Sequence, residues 1–363
     1  MSIKKTQCKI ELILLVVFAF LFLQVLSGEN GKRNCSGEEM QQIPKETEDE
    51  QVSANLLVVE YSSGSDYLVK RQVGDRYIPT PTLIPTPIST PTPVPTEAPI
   101  PEAVIRVADL IGKKYVLEEL QNLTYLKENF YIVNATTKMT EEEFDVKYFI
   151  EKDFSLKKTE EPQILIFHTH GSEGFSDSRV GKQEDTVVGV GELLSEILRD
   201  KYGYQVLHDT TLFDRKNGKD NRNYAYNDAL DYLEKLLEQY PSIEVIIDLH
   251  RDAGTKRVVT IDGRTTAKVM LFNGLCRNTK GKLSYLPNTY LNDNLAFSFQ
   301  MKLVGDEMYP GLMNRIFLKD YRYNMHLKER FLLVELGTEQ NTVEEAKNAM
   351  EPLADVLAQV LGG

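Results

Sequence analysis

Residues 164–173 read ILIFHTHGSE, and the change of character at residue 168 decides how the rest of the chain is read. Four apolar residues in a row, with no polar alternation, suit a strand buried on both faces, and such strands belong to parallel sheets covered by helices. The run then stops at a His-x-His pair followed by Gly, Ser and Glu. Two later stretches share the pattern. VIIDLHRD at 245–252 passes from apolar residues to His250, Arg251 and Asp252, and FLLVELG at 331–337 passes to Glu335.

Working outward, strands are expected at Gln205 to Leu207, Arg257 to Ile261, Ala267 to Phe272 and Arg315 to Leu318. Amphipathic helices are expected at about 185–200, 223–240, 292–308 and 342–361, the first presenting Val187, Val190, Leu194, Ile197 and Leu198 on one face. Ahead of them, Phe130 to Val133 and Tyr148 to Ile150 read as short β-rich pieces. Apolar strands alternating with helices give an α/β fold with a mostly parallel sheet covered by helices on both faces.

In an open α/β sheet, ligands bind beyond the carboxyl ends of the strands, so the polar ends of the three runs converge if the strands are neighbours. The chain has five histidines, and three of them, His168, His170 and His250, fall at such ends. Three scattered cysteines form no CxxC pair, so a metal site here would use imidazoles and carboxylates. A catalytic zinc takes three such protein ligands and keeps its fourth position for water. His170 and His250 supply nitrogen donors. The carboxylate would come from Glu173 or Glu184, and Glu184 is preferred because the first turn of the expected helix holds it rigidly. His168 either supports a metal ligand from behind or is itself the alternative ligand, on the same face as His170 by the period of two. Glu335 is the candidate for proton transfer. Arg251 could orient a carboxylate or hold a substrate anion through a two-pronged bond. His208 and His326 are read as structural or surface residues, although the polar stretch around His326 (KDYRYNMHLKER, 319–330) could line a groove.

The net charge of −12 argues against a partner held by general phosphate neutralisation, so no nucleic acid is expected. Residues 1–9 carry three lysines, and an apolar run follows within 10–27. That run fits a single-pass anchor with a cytoplasmic N-terminus, a signal-peptide core being the alternative. Residues 28–101 read as a disordered linker, whose segment 79–101 holds nine of the fifteen prolines. Proline at this density favours an extended stalk on the order of 70 Å long. The globular part begins at residue 102, with a lead-in at 102–160 and a catalytic domain at 161–363. The anchor would place that domain outside the cytoplasm.

At these residues the chain resembles the stage II sporulation protein P family of cell-wall hydrolases. The likeness covers about residues 128–361, through FYIVNATT (130–137), EPQILIFHTHGSEGF (161–175), the segment 184–194, IIDLHRDA (246–253) and LLVELGTEQN (332–341). That family is similar to the zinc N-acetylmuramoyl-L-alanine amidases, whose His, Glu, His, Glu order is matched here by His170, Glu184, His250 and Glu335. The amidases have Gly-His-Gly-Gly where this chain has His-Thr-His-Gly. The resemblance implies an amidase-like fold, zinc on the first three residues and Glu335 as the catalytic carboxylate. It implies cleavage of the amide joining N-acetylmuramic acid to L-alanine in peptidoglycan during sporulation engulfment. The implied partners are a lytic transglycosylase, stage II sporulation protein D, and a membrane organiser, stage II sporulation protein M. Two other readings are a metallopeptidase that cuts peptide cross-links and a wall-binding scaffold without activity.

Overall fold

The computed structural model describes residues 105–362. The expected anchor at 10–27 and linker at 28–101 lie outside the described residues. Among the described residues no helix is long and apolar enough to cross a membrane.

Helices α1 (Val107–Leu110), α2 (Leu117–Leu120) and α3 (Leu123–Asn129) lead into strand β1 (Tyr131–Val133), and α4 (Val146–Glu151) follows. Then come β2 (Ile164–Phe167), α5 (Val187–Asp200), β3 (Val206–His208), a small hairpin β4 (Arg215–Lys216) and β5 (Lys219–Asp220), and α6 (Ala225–Gln239). The long strand β6 (Val245–Asp252) precedes a second hairpin, β7 (Val258–Ile261) and β8 (Arg264–Ala267). The chain continues through β9 (Val269–Gly274), α7 (Leu291–Met308), β10 (Ile316–Lys319), β11 (Arg330–Thr338), α8 (Val343–Asn348) and α9 (Met350–Val360).

Seven strands form one sheet in the order β1-β10-β9-β11-β6-β2-β3. Strands β11, β6, β2 and β3 run parallel to one another, as do β1, β10 and β9, and the two blocks meet antiparallel where β9 pairs with β11. The apolar runs therefore sit where their composition requires: β2 is buried along its whole length and β6 through its first six residues.

Alternation sorts the core into two layers. Ile164, Ile166, Val245, Ile247, Leu332 and Val334 pack with α5, α7 and α9 on one face. Leu165, Phe167, Ile246 and Phe331 pack with Ala225, Ala229 and Leu233 of α6 on the other. Helix α7 is buried all round from Asn294 to Gly305, because α1, α4 and α9 cover its outer side. The expectation of helices on both faces holds for the β11-β6-β2-β3 half. Over β9 and β10 the principal helix contact is α7, on the first face.

Two expected elements differ. Tyr148 to Ile150 is part of α4: Asp145 accepts the Tyr148 N–H as an N-cap, and the turn buries Val146 and Phe149 on one side. The expected last helix is two helices. Pro352 lies in the first turn of α9, where it needs no N–H, and it cannot donate back to the preceding turn.

Phe299 of α7 is fully buried, with ring centroids 5.6 Å from Phe130 and 5.8 Å from Phe149. Phe299→Ala should destabilise the protein by about 3–5 kcal/mol, read as a lower urea midpoint. A loss below about 1 kcal/mol would show that the segment before residue 160 does not share the cooperative core.

Candidate active site

Three strand ends meet on the α6 side of the sheet. Asp248 and His250 lie two apart on β6 and share a face, and Glu335 of β11 is in register with His250. Phe167 closes β2 in register with Asp248, so the chain after it passes over the end of β6. In that crossing Thr169 donates its backbone N–H to Asp248 Oδ1 at 2.8 Å and its hydroxyl to Oδ2 at 2.7 Å. Asp248 is fully buried. Burial alone would push its carboxyl up, but the His250 charge and the Thr169 bonds outweigh it and hold the carboxyl below its ordinary range.

So anchored, the loop carries His170 to a ring distance of 5.3 Å from His250 and 5.6 Å from Tyr226 at the start of α6. Glu173 turns inward and is buried. Its Oε2 stands 3.5 Å from His250 Nδ1 and accepts the Arg251 backbone N–H at 3.1 Å, while Oε1 faces the Arg222 guanidinium at 3.7 Å. On the other side of the ring, His250 Nε2 is 2.8 Å from Asp248 Oδ1, close in charge but without a directed hydrogen bond. His170 Nδ1 and Glu335 Oε2 are likewise buried with no hydrogen-bond partner among the described residues.

The charges in this space are divided unevenly. Burial, with the neighbouring His250, lowers His170 and keeps it neutral. Burial works against a charged His250 too, but Asp248 and Glu173 outweigh it and raise that imidazole well above its ordinary value. Glu173 is held low by His250 and Arg251 in spite of its burial. Glu335 goes the other way: burial, helped by Glu173, Asp252 and Asp248 and opposed by His250, raises it to about 7. Two carboxylates within one pocket thus have opposite tendencies.

Of the residues singled out from sequence, His170, Glu173, His250 and Glu335 come together. Glu184 does not join them. It lies in a 3-10 turn before α5, its side chain is 58% exposed, and its Oε1 faces Arg179 at 3.4 Å and Lys182 at 3.9 Å. His168 also faces elsewhere. Strand β2 has ended at Phe167, so the period of two no longer applies, and the His168 ring places Nδ1 2.8 Å from the Leu249 carbonyl and Nε2 2.9 Å from His208 Nε2. Arg251 is spent within the fold: besides its backbone bond to Glu173, its Nε donates to the Gly174 carbonyl at 3.0 Å. It orients the Glu173 loop.

Sequence reasoning passed over Asp248 and Tyr226. A signal for Asp248 was present, since an acidic residue inside a wholly apolar strand must have a partner when buried. Nothing marked Tyr226, whose position follows only from where α6 starts.

Among the described residues, no group of three His, Cys, Asp or Glu side chains stands close enough together to hold a metal ion as placed. The donor set nevertheless suits zinc. Bonds of about 2.0–2.2 Å to nitrogen and oxygen make a tetrahedron whose edge is roughly 3.4 Å, and Glu173 Oε2 lies 3.5 Å from His250 Nδ1. His170 Nδ1 is a further buried nitrogen with no partner among the described residues, on a ring whose centroid is 5.3 Å from that of His250, and Asp248 stands behind His250 as a carboxylate.

With this geometry established, comparison places the chain among known proteins. The family model of stage II sporulation protein P matches residues 106–358. Stage II sporulation protein P of Bacillus subtilis (strain 168) is 26% identical over 214 residues, which cover 54% of this chain and 50% of that protein. The chain thus spans about half the length of the curated relative it matches. Among solved structures, the N-acetylmuramoyl-L-alanine amidase AmiC2 of Nostoc punctiforme aligns at 12% identity with a TM-score of 0.32, covering 55% of this chain and 94% of that one. The N-acetylmuramoyl-L-alanine amidase of Clostridium difficile 630 aligns at 16% identity with a TM-score of 0.34, covering 56% and 95%. The family match extends over more than two thirds of the sequence and takes in every strand of the seven-stranded sheet: the chain belongs to the stage II sporulation protein P family.

Proposed function

We propose that the protein is a peptidoglycan hydrolase of sporulation, a zinc-dependent N-acetylmuramoyl-L-alanine amidase whose metal is held by His170, Glu173 and His250. The observation that carries this reading is the convergence of two imidazoles and a buried carboxylate beside a second carboxylate, Glu335, in register with His250. Glu173 replaces Glu184 in the ligand set because Glu184 is neutralised at the surface by Arg179 and Lys182. Family membership supports the sporulation context. The membrane anchor, the extracytoplasmic placement and partnership with stage II sporulation proteins D and M belong to the same proposal.

Bound zinc would supply a Lewis acid for the scissile carbonyl and acidify a water to a pKa of about 7. The rest falls to the chain's own groups. Glu335, raised to about 7, can exist in either protonation state near neutrality. It can therefore take the proton of the attacking water as the C–O bond forms, and give one to the departing nitrogen as the C–N bond breaks. Asp248 holds the His250 ring beside it by charge, and the Thr169 bonds keep the His170 loop over it. Arg251 sets the Glu173 carboxylate.

Mass spectrometry of sacculi digested by the protein tests the reaction. Stem peptides with a free L-alanine amine and glycan stripped of peptide are expected. Products cut only at cross-links would point to a peptidase, and no products at all to a scaffold. For the metal, Glu173→Ala should lose zinc on dialysis while Glu184→Ala keeps it, measured by elemental analysis; the reverse pattern would restore Glu184 as the ligand. Glu335→Gln should retain zinc and lose turnover by at least about 100-fold, as expected for removal of a general acid–base group. In the unaltered protein, protonation of Glu335 removes the base, so the rate should fall as pH drops. That acid limb should lie at or below pH about 7, since a nearby dication can only lower the carboxyl further.

A further inference from the structure

The sheet face that carries Asp248, His250 and Glu335 does not end with them. Across the antiparallel seam, Met270 of β9 is opposite Glu335 and Phe272 is opposite Leu333, and Phe317 of β10 lies beside Phe272 with ring centroids 5.5 Å apart. No helix of the described residues packs closely there; the face is crossed instead by the segment after β10. Gly274 makes the crossing possible, since a Cβ at that position would sit 2.2 Å from the Tyr321 carbonyl oxygen. The segment lays Tyr323 edge-on against Phe272 at 4.7 Å and against Tyr226 at 5.4 Å, and Tyr226 packs against His170 and His250. Tyr321, 6.4 Å from Tyr323, is 50% exposed, and Phe317 is partly open.

Rings thus run without interruption from the two imidazoles to solvent. The arrangement is held against backbone preference: Tyr323 and Asn324 both adopt left-handed conformations, at φ 49° and 58°, which a bulky residue such as tyrosine rarely does. Asn324 Nδ2 donates to the Tyr226 carbonyl at 2.9 Å, tying the strained pair to the site.

The chemistry of this shelf differs from that of the opposite side of the β6–β11 pair. Its cations are Lys319, 6.0 Å from the Tyr323 ring centroid, and Arg322, whose Nη1 donates to the Pro287 carbonyl at 3.4 Å, and Asp320 lies between them in sequence. On the β2 side, Arg222 faces Glu173, and the preceding hairpin carries Arg215, Lys216 and Lys219. An acidic peptide is matched better by the hairpin side, with four cations, than by the shelf, with two. Sugar rings, with an apolar C–H face and a rim of hydroxyl and amide groups, match aromatic faces bordered by phenolic hydroxyls.

We propose that the shelf formed by Tyr321, Phe317 and Tyr323 is a glycan subsite, which takes a strand of N-acetylated sugar rings and so directs the glycan over β9 and β10 and the peptide toward the β4–β5 hairpin. This inference rests on the amidase reading, since it identifies the part of the substrate that each side of the site receives.

The test is titration of the full chain with two probes, chitohexaose as a peptide-free N-acetylated glycan and a free stem peptide, followed by calorimetry, with peptide release from sacculi measured in parallel. Chitohexaose should bind. Tyr321→Ala and Phe317→Leu should each weaken it roughly 3- to 10-fold, the scale of a lost ring contact, while Tyr321→Phe, which keeps the ring, should bind as the unaltered chain does. Stem-peptide binding should not change in any of them. Chitohexaose affinity that is absent, or indifferent to both ring deletions, would overturn the subsite, and peptide release persisting in that case would leave the amidase reading standing. Ring-dependent glycan binding without any peptide release would uphold the subsite and remove the amidase.

Discussion

The site depends on a carboxylate that the sheet cannot leave unanswered. Asp248 is fully buried in the layer that Phe167, Ile246 and α6 make apolar, where an unpaired charge would be very costly. It is answered from two directions, by both donors of Thr169 and by the His250 ring. The first answer pins the loop after β2 across the end of β6, and the second keeps a positive imidazole against the carboxylate. His170 and Glu173 arrive beside His250 because the loop that bears them has been fixed at Thr169. Removing the charge would therefore release the loop and the ring together.

Around that anchor, burial and charge assign separate tasks to chemically similar groups. Glu173 and Glu335 are both enclosed, yet one touches an imidazole and accepts a backbone N–H, while the other has an oxygen with no hydrogen-bond partner among the described residues. The first stays ionised and suits a ligand. The second is raised to about 7 and suits proton transfer. On the opposite layer His168 meets His208, and the deep burial of His168 pushes it down to about 3. A neutral His168 can donate Nδ1–H to the Leu249 carbonyl, immediately before His250, so it supports the strand from behind.

The seam between the parallel blocks gives the site its asymmetry. A wholly parallel continuation would have brought another strand end, with its loop, next to Glu335. The reversed β9 brings the beginning of a strand instead, so the space beside Glu335 is filled by Met270 and then by aromatic residues. The segment from β10 to β11 passes over this region and contributes Tyr321 and Tyr323. The polar stretch around His326, which could be read from sequence only as a possible groove lining, is part of this crossing.

Much of the architecture could be read from composition alone, because burial on both faces leaves an unambiguous record: ILIF, VIID and FLLV admit few alternatives to strands in a covered sheet, and the polar residues that end them mark where a ligand can reach. His170, His250 and Glu335 were legible for that reason. What the sequence could not determine was anything depending on where a loop turns. Glu184 was preferred to Glu173 for its place at a helix start, and the folded chain reverses that order because Arg251 draws Glu173 inward while Arg179 and Lys182 hold Glu184 at the surface. The His168 direction and the antiparallel seam were decided in the same way, by partners distant in sequence whose contacts outweigh local periodicity, whereas the helical state of residues 146–151 follows from the nearby Asp145 cap.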